Sequence, residues 1–366
     1  MIELQKKSCS QELSKTSIEK PITMMPARLF ILYLFVVLTP VVHCSSNLPI
    51  TPYIYERLVY FIKASSISSC ISDNLLLVNK TFNDGGCPPH INFCNDEIIN
   101  PTAGQTVIEL VLNAKKGELG SGYLAVDHGK KVVILAFRGS TTRQDWFSDF
   151  EIYPVNYSPL CVKEYRKLIE EGKIRECEGC KMHRGFLRFT ETLGMDVFKK
   201  MESILESFPE YRIVVTGHSL GAALASLAGI ELKIRGFDPL VLTFATPKIF
   251  NSEMKQWVDE LFETDAIEKE SILKNEIQFR KGYFRVVHTG DYIPMVPPFY
   301  HPAGLEMFIN KVGLPQNAED IEYRGKNNRL TLKDGFREGM SGLVEDWLHV
   351  YEHRAYFIDV VGCSEL

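Results

Sequence analysis

The sequence predicts an α/β fold in which a mainly parallel central sheet is covered by helices on both faces. Three observations point there. Apolar strands recur down the chain: Lys131–Phe137 (KVVILAF), Arg212–Thr216 (RIVVT), Pro239–Ala245 (PLVLTFA) and Tyr283–Val287 (YFRVV). They are apolar nearly throughout rather than alternating, as parallel strands buried on both faces are. Helical stretches lie between them, such as Met195–Phe208, where Val197, Phe198, Met201, Ile204, Leu205 and Phe208 recur at helical spacing.

The chain has 366 residues, of which 45% are apolar, enough for a large core. We divide it into an N-terminal leader, 1–45, and one domain, 46–366. In the leader Arg28 precedes a 14-residue apolar run, Leu29–Val42, which ends in His43-Cys44-Ser45-Ser46. That run is short for a membrane span, which needs about 20 residues. It fits a signal-peptide core with small residues at the exit. The polar stretch before it is long for such a peptide, so Met24 or Met25 is a candidate start, and an uncleaved signal-anchor is the alternative. The net charge of −5, with no basic block in the body, argues against a nucleic-acid partner.

Nine cysteines suit an oxidising compartment. Cys9 and Cys44 fall in the leader, and the remaining seven are an odd number, so one stays unpaired. Cys87/Cys94 and Cys177/Cys180 are close enough in sequence for local bridges. Cys177-Glu-Gly-Cys180 also has half the pattern of a zinc site, but no second pair supplies the other ligands, so no metal is expected. The sequons at Asn79 and Asn156 agree with secretion, whereas Asn100-Pro-Thr is excluded by its proline.

Taken in order, Tyr53–Ala64 reads as a helix and Cys70–Asn95 as a loop rich in Cys, Gly, Pro and Asn. The strand Lys131–Phe137 runs into Arg138-Gly139-Ser140 and then a short amphipathic helix containing Arg143, Trp146, Phe147 and Phe150. Ser140 is either a helix cap or a donor to a developing oxyanion. The aromatic residues are either core or one greasy face of a movable cover.

The stretch Ile213-Val-Val-Thr-Gly217-His218-Ser219-Leu220-Gly221-Ala-Ala is a buried strand, a sharp turn and a small-residue helix. G-x-S-x-G at such a joint is the nucleophile elbow of an α/β-hydrolase. Ser219 must take a strained backbone conformation to lift its Oγ above the sheet edge. Side chains two residues before and after would then collide, so both positions are Gly. The helix that follows points its positive end at charge developing beside Ser219, and the Leu220 N–H is a second candidate oxyanion donor.

A serine nucleophile needs a base, and the base needs an orienting carboxylate, in the chain order Ser, Asp or Glu, His. Asp291 follows the strand YFRVV inside a turn bounded by Gly290 and Pro294, where that carboxylate belongs; its competing role is a turn former. For the base, His301 lies too near Asp291 to sit on a separate loop. His349 and His353 share one helical face, and spacing does not separate them. His288 reads as a structural residue at a strand end. Gly313–Gly342 reads as a polar surface insertion before the last helix.

Together these segments resemble the fungal class 3 triacylglycerol lipases, most closely the secreted yeast lipases of that family, from about Tyr53 to Leu366. The matching motifs are Phe137-Arg138-Gly139-Ser140 with Trp146 and Asp149, and Met182-His183-Arg184-Gly185-Phe186. The others are the elbow, Thr243–Pro247, Gly290-Asp291 through Pro298, and His353-Arg-Ala-Tyr356-Phe357. The last of these selects His353 over His349. The resemblance implies Ser219 as nucleophile, His353 as base, Asp291 as its orienting acid, and Ser140 with the Leu220 N–H as oxyanion donors. It implies a lid over Arg143–Phe150, no cofactor, and acylglycerol substrates met at a lipid–water interface with no obligate protein partner. It also implies bridges Cys70–Cys363, Cys87–Cys94 and Cys177–Cys180, leaving Cys161 free. Ala222 and Thr246-Pro247-Lys248 depart from the usual motifs without touching a catalytic group. An esterase or phospholipase acting on another acyl ester is the nearest competing reading. A non-catalytic binding fold would be expected to lack a triad member, and all three are present.

Overall fold

Sequence chemistry sets the first described element. Thr51 caps helix α1 (Pro52–Ser66) by accepting from the Ile54 N–H, and Pro52 sits at the helix start, where its missing N–H costs nothing. The computed structural model describes residues 48–114, 120–139, 152–326 and 351–366. The leader, including its apolar run, lies outside them. Among the described residues no helix is long and apolar enough to cross a membrane.

The strands are β1 (Thr106–Leu112), β2 (Gly122–Asp127), β3 (Val132–Phe137), β4 (Pro154–Asn156), β5 (Lys181–His183), β6 (Arg212–His218) and β7 (Leu240–Phe244). They continue with β8 (Gly282–His288), β9 (Leu305–Ile309), β10 (Ile321–Gly325), β11 (Ala355–Tyr356) and β12 (Ile358–Asp359). Eight of them form one sheet in the order β1-β2-β3-β6-β7-β8-β9-β10. The pairings from β3 through β9 are parallel, and the two edges are antiparallel. The fold is thus an α/β-hydrolase with a mainly parallel central sheet.

Every position of β2, β3, β7, β8 and β9 is buried, as expected for strands covered on both faces. One face packs on α1 through Leu58, Phe61 and Ile62. The other packs on α4 (Arg184–Ser207), α5 (Leu220–Ile234) and α6 (Ser252–Leu261), with Phe198, Leu224 and Trp257 in its core. Helix α5 is buried almost all round, which its run of Ala permits.

The structure differs from expectation at several elements. β1, β2, β9 and β10 join the strands read from the sequence. The Gly313–Gly342 stretch is not wholly a surface insertion, because β10 lies within it and pairs with β9. Ile321 and Tyr323 point inward while Glu322 and Arg324 are half-exposed, so one buried face is hidden in a polar sequence. Helix α4 begins well before Met195. The remaining described α-helices are α2 (Asn92–Asn95), α3 (Val162–Glu170), α7 (Thr264–Lys274) and α8 (Tyr351–Arg354).

Three disulfides link Cys70–Cys363, Cys87–Cys94 and Cys177–Cys180. Cys161 is free and buried, with its Sγ 3.0 Å from Glu231 Oε2. Burial and then the Glu231 charge push that thiol well above the ordinary range, so it is an inert thiol.

Candidate active site

β6 delivers Ser219 at the carboxyl end of the sheet, where ligands bind in open α/β folds. Its backbone lies at φ 56°, ψ −124°, a strained conformation for a residue with a side chain. The neighbours over-determine it. Ser219 N–H donates to the Phe244 carbonyl at 2.9 Å. A Cβ on Gly217 would sit 2.2 Å from the Gly221 carbonyl oxygen, and one on Gly221 would sit 2.3 Å from that of Phe137. Only glycine fits either position.

β8 delivers Asp291 just beyond His288, and α8 with β11 brings His353 from the far end of the chain. The Ser219 hydroxyl donates to His353 Nε2 at 2.9 Å, and His353 Nδ1 lies 3.1 Å from both carboxylate oxygens of Asp291. All three residues are buried. Burial alone would raise the Asp291 carboxyl. The adjacent His353, with hydrogen bonds from that ring, the Tyr356 hydroxyl (2.6 Å) and the Ile293 N–H (3.0 Å), outweighs it and holds the carboxyl below its ordinary value. The group therefore stays a carboxylate able to balance an imidazolium.

Leu220 opens α5, so its N–H is one of those a helix leaves without an internal acceptor. Ser140, Arg143, Trp146, Phe147 and Phe150, and the competing base His349, lie outside the described residues. His301 is exposed and bridges to Phe250 in the β-sheet manner. The sequon residues Asn79 and Asn156 are both exposed.

Sequence reasoning assigned no role to several neighbours. Tyr356 appears in the terminal motif, but its bond to Asp291 becomes visible only when β11 is placed. His218 Nε2 donates to the His353 carbonyl at 2.8 Å, across 135 residues of sequence. Gln316 reaches both the Ala355 carbonyl (3.0 Å) and the Phe357 N–H (2.7 Å). The signals available were the three-residue step from His353 to Tyr356 and the position of His218 beside the nucleophile.

Comparison with known proteins adds a family. The family described as Lipase (class 3) matches residues 134–301. The protein named "Putative lipase LIH1" of Saccharomyces cerevisiae is 99% identical over 327 residues, 89% of this chain and 100% of that one. The secreted mono- and diacylglycerol lipase A of Penicillium cyclopium is 28% identical over 178 residues, 48% of this chain and 47% of its own length. The crystal structure of the Lip2 lipase of Yarrowia lipolytica superposes with a TM-score of 0.64 at 24% identity, covering 86% of this chain and 97% of that one.

Proposed function

The chain belongs to the class 3 lipase family, and on that premise we propose that it is a secreted serine hydrolase cleaving triacylglycerols through an acyl-enzyme on Ser219. The observation that carries the chemistry is the unbroken chain from the Ser219 hydroxyl through His353 to Asp291. In this reading Ser219 Oγ attacks the ester carbonyl while its proton passes to His353 Nε2. The imidazolium so formed is balanced by Asp291. The carbonyl oxygen takes the negative charge beside the Leu220 N–H and Ser140, where each donor is worth about 10²–10³ in turnover. As the tetrahedral adduct collapses, the ester C–O bond breaks and the departing glyceride alcohol takes the proton from His353. Water then attacks the acyl-enzyme, gives its proton to His353, and releases the fatty acid as Ser219 recovers its proton.

Arg143, Trp146, Phe147 and Phe150 are assigned to a lid that admits acyl chains at a lipid–water interface. Secretion is supported by the leader, by three disulfides of the kind oxidising compartments keep, and by exposed sequons at Asn79 and Asn156, the proposed glycosylation sites. Partial acylglycerols are the substrates of the Penicillium relative as named, and they are the second substrate to test.

The experiment compares emulsified triolein, emulsified diolein and soluble p-nitrophenyl butyrate, for the wild type and Ser219→Ala. Triolein hydrolysis that climbs on the emulsion and falls about 10⁵-fold or more in the variant is expected. Activity on diolein alone would move the substrate to partial glycerides. Activity confined to the soluble ester would make the protein an esterase, and an active Ser219→Ala would overturn the mechanism.

A further inference from the structure

Within the described residues, helix α8 runs over Tyr351–Arg354 and leads at once into the two-residue strand β11. The last carbonyls of any helix find no N–H partner inside it. Two of these carbonyls are met by imidazole rings from other strands. The Glu352 carbonyl lies 2.8 Å from His288 Nδ1, and the His353 carbonyl lies 2.8 Å from His218 Nε2. His288 closes β8, three residues before Asp291, and His218 closes β6, directly before Ser219.

We propose that His218 and His288 are positioning residues for catalysis, a two-point clamp that ties the backbone on either side of the His353 side chain to the strands bearing the nucleophile and the acid. The proposal rests on the reading of His353 as general base. Its physical content is registration. The base must keep Nε2 in line with Ser219 and Nδ1 in line with Asp291, and a shift of about 1 Å can cost 10²-fold. A ring anchored only through its side chain could turn about Cβ; clamped main-chain carbonyls on both sides fix the origin of that rotation. The ring of His218 lies 4.8 Å from that of His353, edge-tilted against it. Burial, then the charge of His353, push His218 down to about 3, so it serves as a neutral N–H donor and adds no repulsion when His353 becomes an imidazolium. His288 Nε2 also lies 2.8 Å from the Lys311 carbonyl, on the loop after β9. A neutral ring donates to one of the two carbonyls at a time, and the clamp takes the tautomer with its proton on Nδ1.

The test separates a donor from a filler. His218→Phe keeps a ring and loses the Nε2 donor; His218→Gln keeps an amide donor at similar reach. His288→Leu and His288→Asn make the matching pair, with Asn retaining a donor at the Nδ1 position. Each enzyme is titrated with a p-nitrophenyl phosphonate, which counts reactive Ser219, and its kcat and KM are measured on p-nitrophenyl butyrate. The Nδ1 proton of His353 is followed by its far-downfield NMR resonance. His218→Phe and His288→Leu should label stoichiometrically, lose kcat by about 10- to 100-fold at unchanged KM, and lose or broaden the resonance. His218→Gln and His288→Asn should return to within about fivefold of wild type and restore it. If the Phe and Leu variants keep wild-type kcat, or the amides are as slow as the apolar replacements, the clamp is wrong. Ser219→Ala measured alongside keeps the two readings apart: an inactive Ser219→Ala beside a fully active His218→Phe sinks the clamp alone.

Discussion

The elbow around Ser219 and the segment around His353 place Ser219 Oγ and His353 Nε2 2.9 Å apart, yet they are built on opposite principles. The elbow is a strand, a turn and a long buried helix in continuous sequence, with β6 in the middle of the sheet. Its geometry is enforced by backbone against backbone. The His353 segment is the end of a helix followed by two-residue strands. It is held by side chains reaching from elsewhere: Gln316, His288, His218, and the Cys70–Cys363 disulfide that fastens the chain end. The proposed nucleophile, held in a strained conformation, needs a rigid frame. The proposed base, which must only be aimed, can be suspended from distant anchors.

The contrast predicts different failures. The largest is at the elbow. Gly221→Val forces a Cβ to within 2.3 Å of the Phe137 carbonyl oxygen, and the atoms it meets, on Phe137 and Arg138, are backbone that cannot swing aside. We expect a loss of about 3 kcal/mol or more in unfolding free energy and no measurable turnover, read by denaturant unfolding and phosphonate titration. A folded Gly221→Val with wild-type kcat would mean that the frame yields and that the two regions are not distinct.

Removing the chain-end anchor should be milder and should separate stability from chemistry. The Cys70–Cys363 bridge closes a separation of 293 residues, so the double variant Cys70→Ala/Cys363→Ala should lose about 2–5 kcal/mol. At 20 °C, where it remains folded, kcat should fall less than tenfold, because Gln316 still grips Ala355 and Phe357 from inside. Guanidinium unfolding and kcat on one preparation decide it. Complete loss of turnover in a folded double variant would show that the bridge alone aims the base.

The same contrast explains what could be read from the sequence. The elbow was legible because its cause is local: flanking glycines, an apolar strand before and an Ala-rich helix after occupy a dozen consecutive residues. Asp291 was legible for the same reason, as an acid in a turn just past an apolar strand. His353 was not separable from His349 by spacing, because the contacts that aim it come from Asp291, His218 and Gln316, and only the resemblance of the terminal motif favoured it. Tyr356 and Gln316 were invisible as site residues, since a Tyr beside a Phe and a Gln in a polar loop are ordinary until β11 is placed. β10 was missed because its buried face is only Ile321 and Tyr323, set among charged neighbours.

Acid acts on the elbow. The elbow carries His218, pushed down to about 3 by burial and then by His353, and His183, at the end of β5, is pushed down to about 4 by burial. An unfolded histidine titrates at about 6.5. Both folded values lie below the unfolded one, so between about pH 4 and 6.5 the unfolded chain binds protons that the folded chain refuses. The contribution of each group is complete above about 6.5 and shrinks as pH falls, by about 1.4 kcal/mol per pH unit. Asp291 is linked in the same direction but at lower pH. Its lowered carboxyl contributes above the ordinary carboxylate value and is lost only as pH falls through its own depressed one, so it does not act in this window. The melting temperature should therefore be level from about pH 8 to 6.5 and decline steadily towards pH 5. His218→Gln, which keeps a donor and cannot titrate, should shed about one proton's share of that slope. A wild-type melting temperature that stays flat down to pH 5, or a slope the variant leaves untouched, would mean that His218 takes up its proton inside the fold, and a charged ring there would stand against the imidazolium that His353 must form.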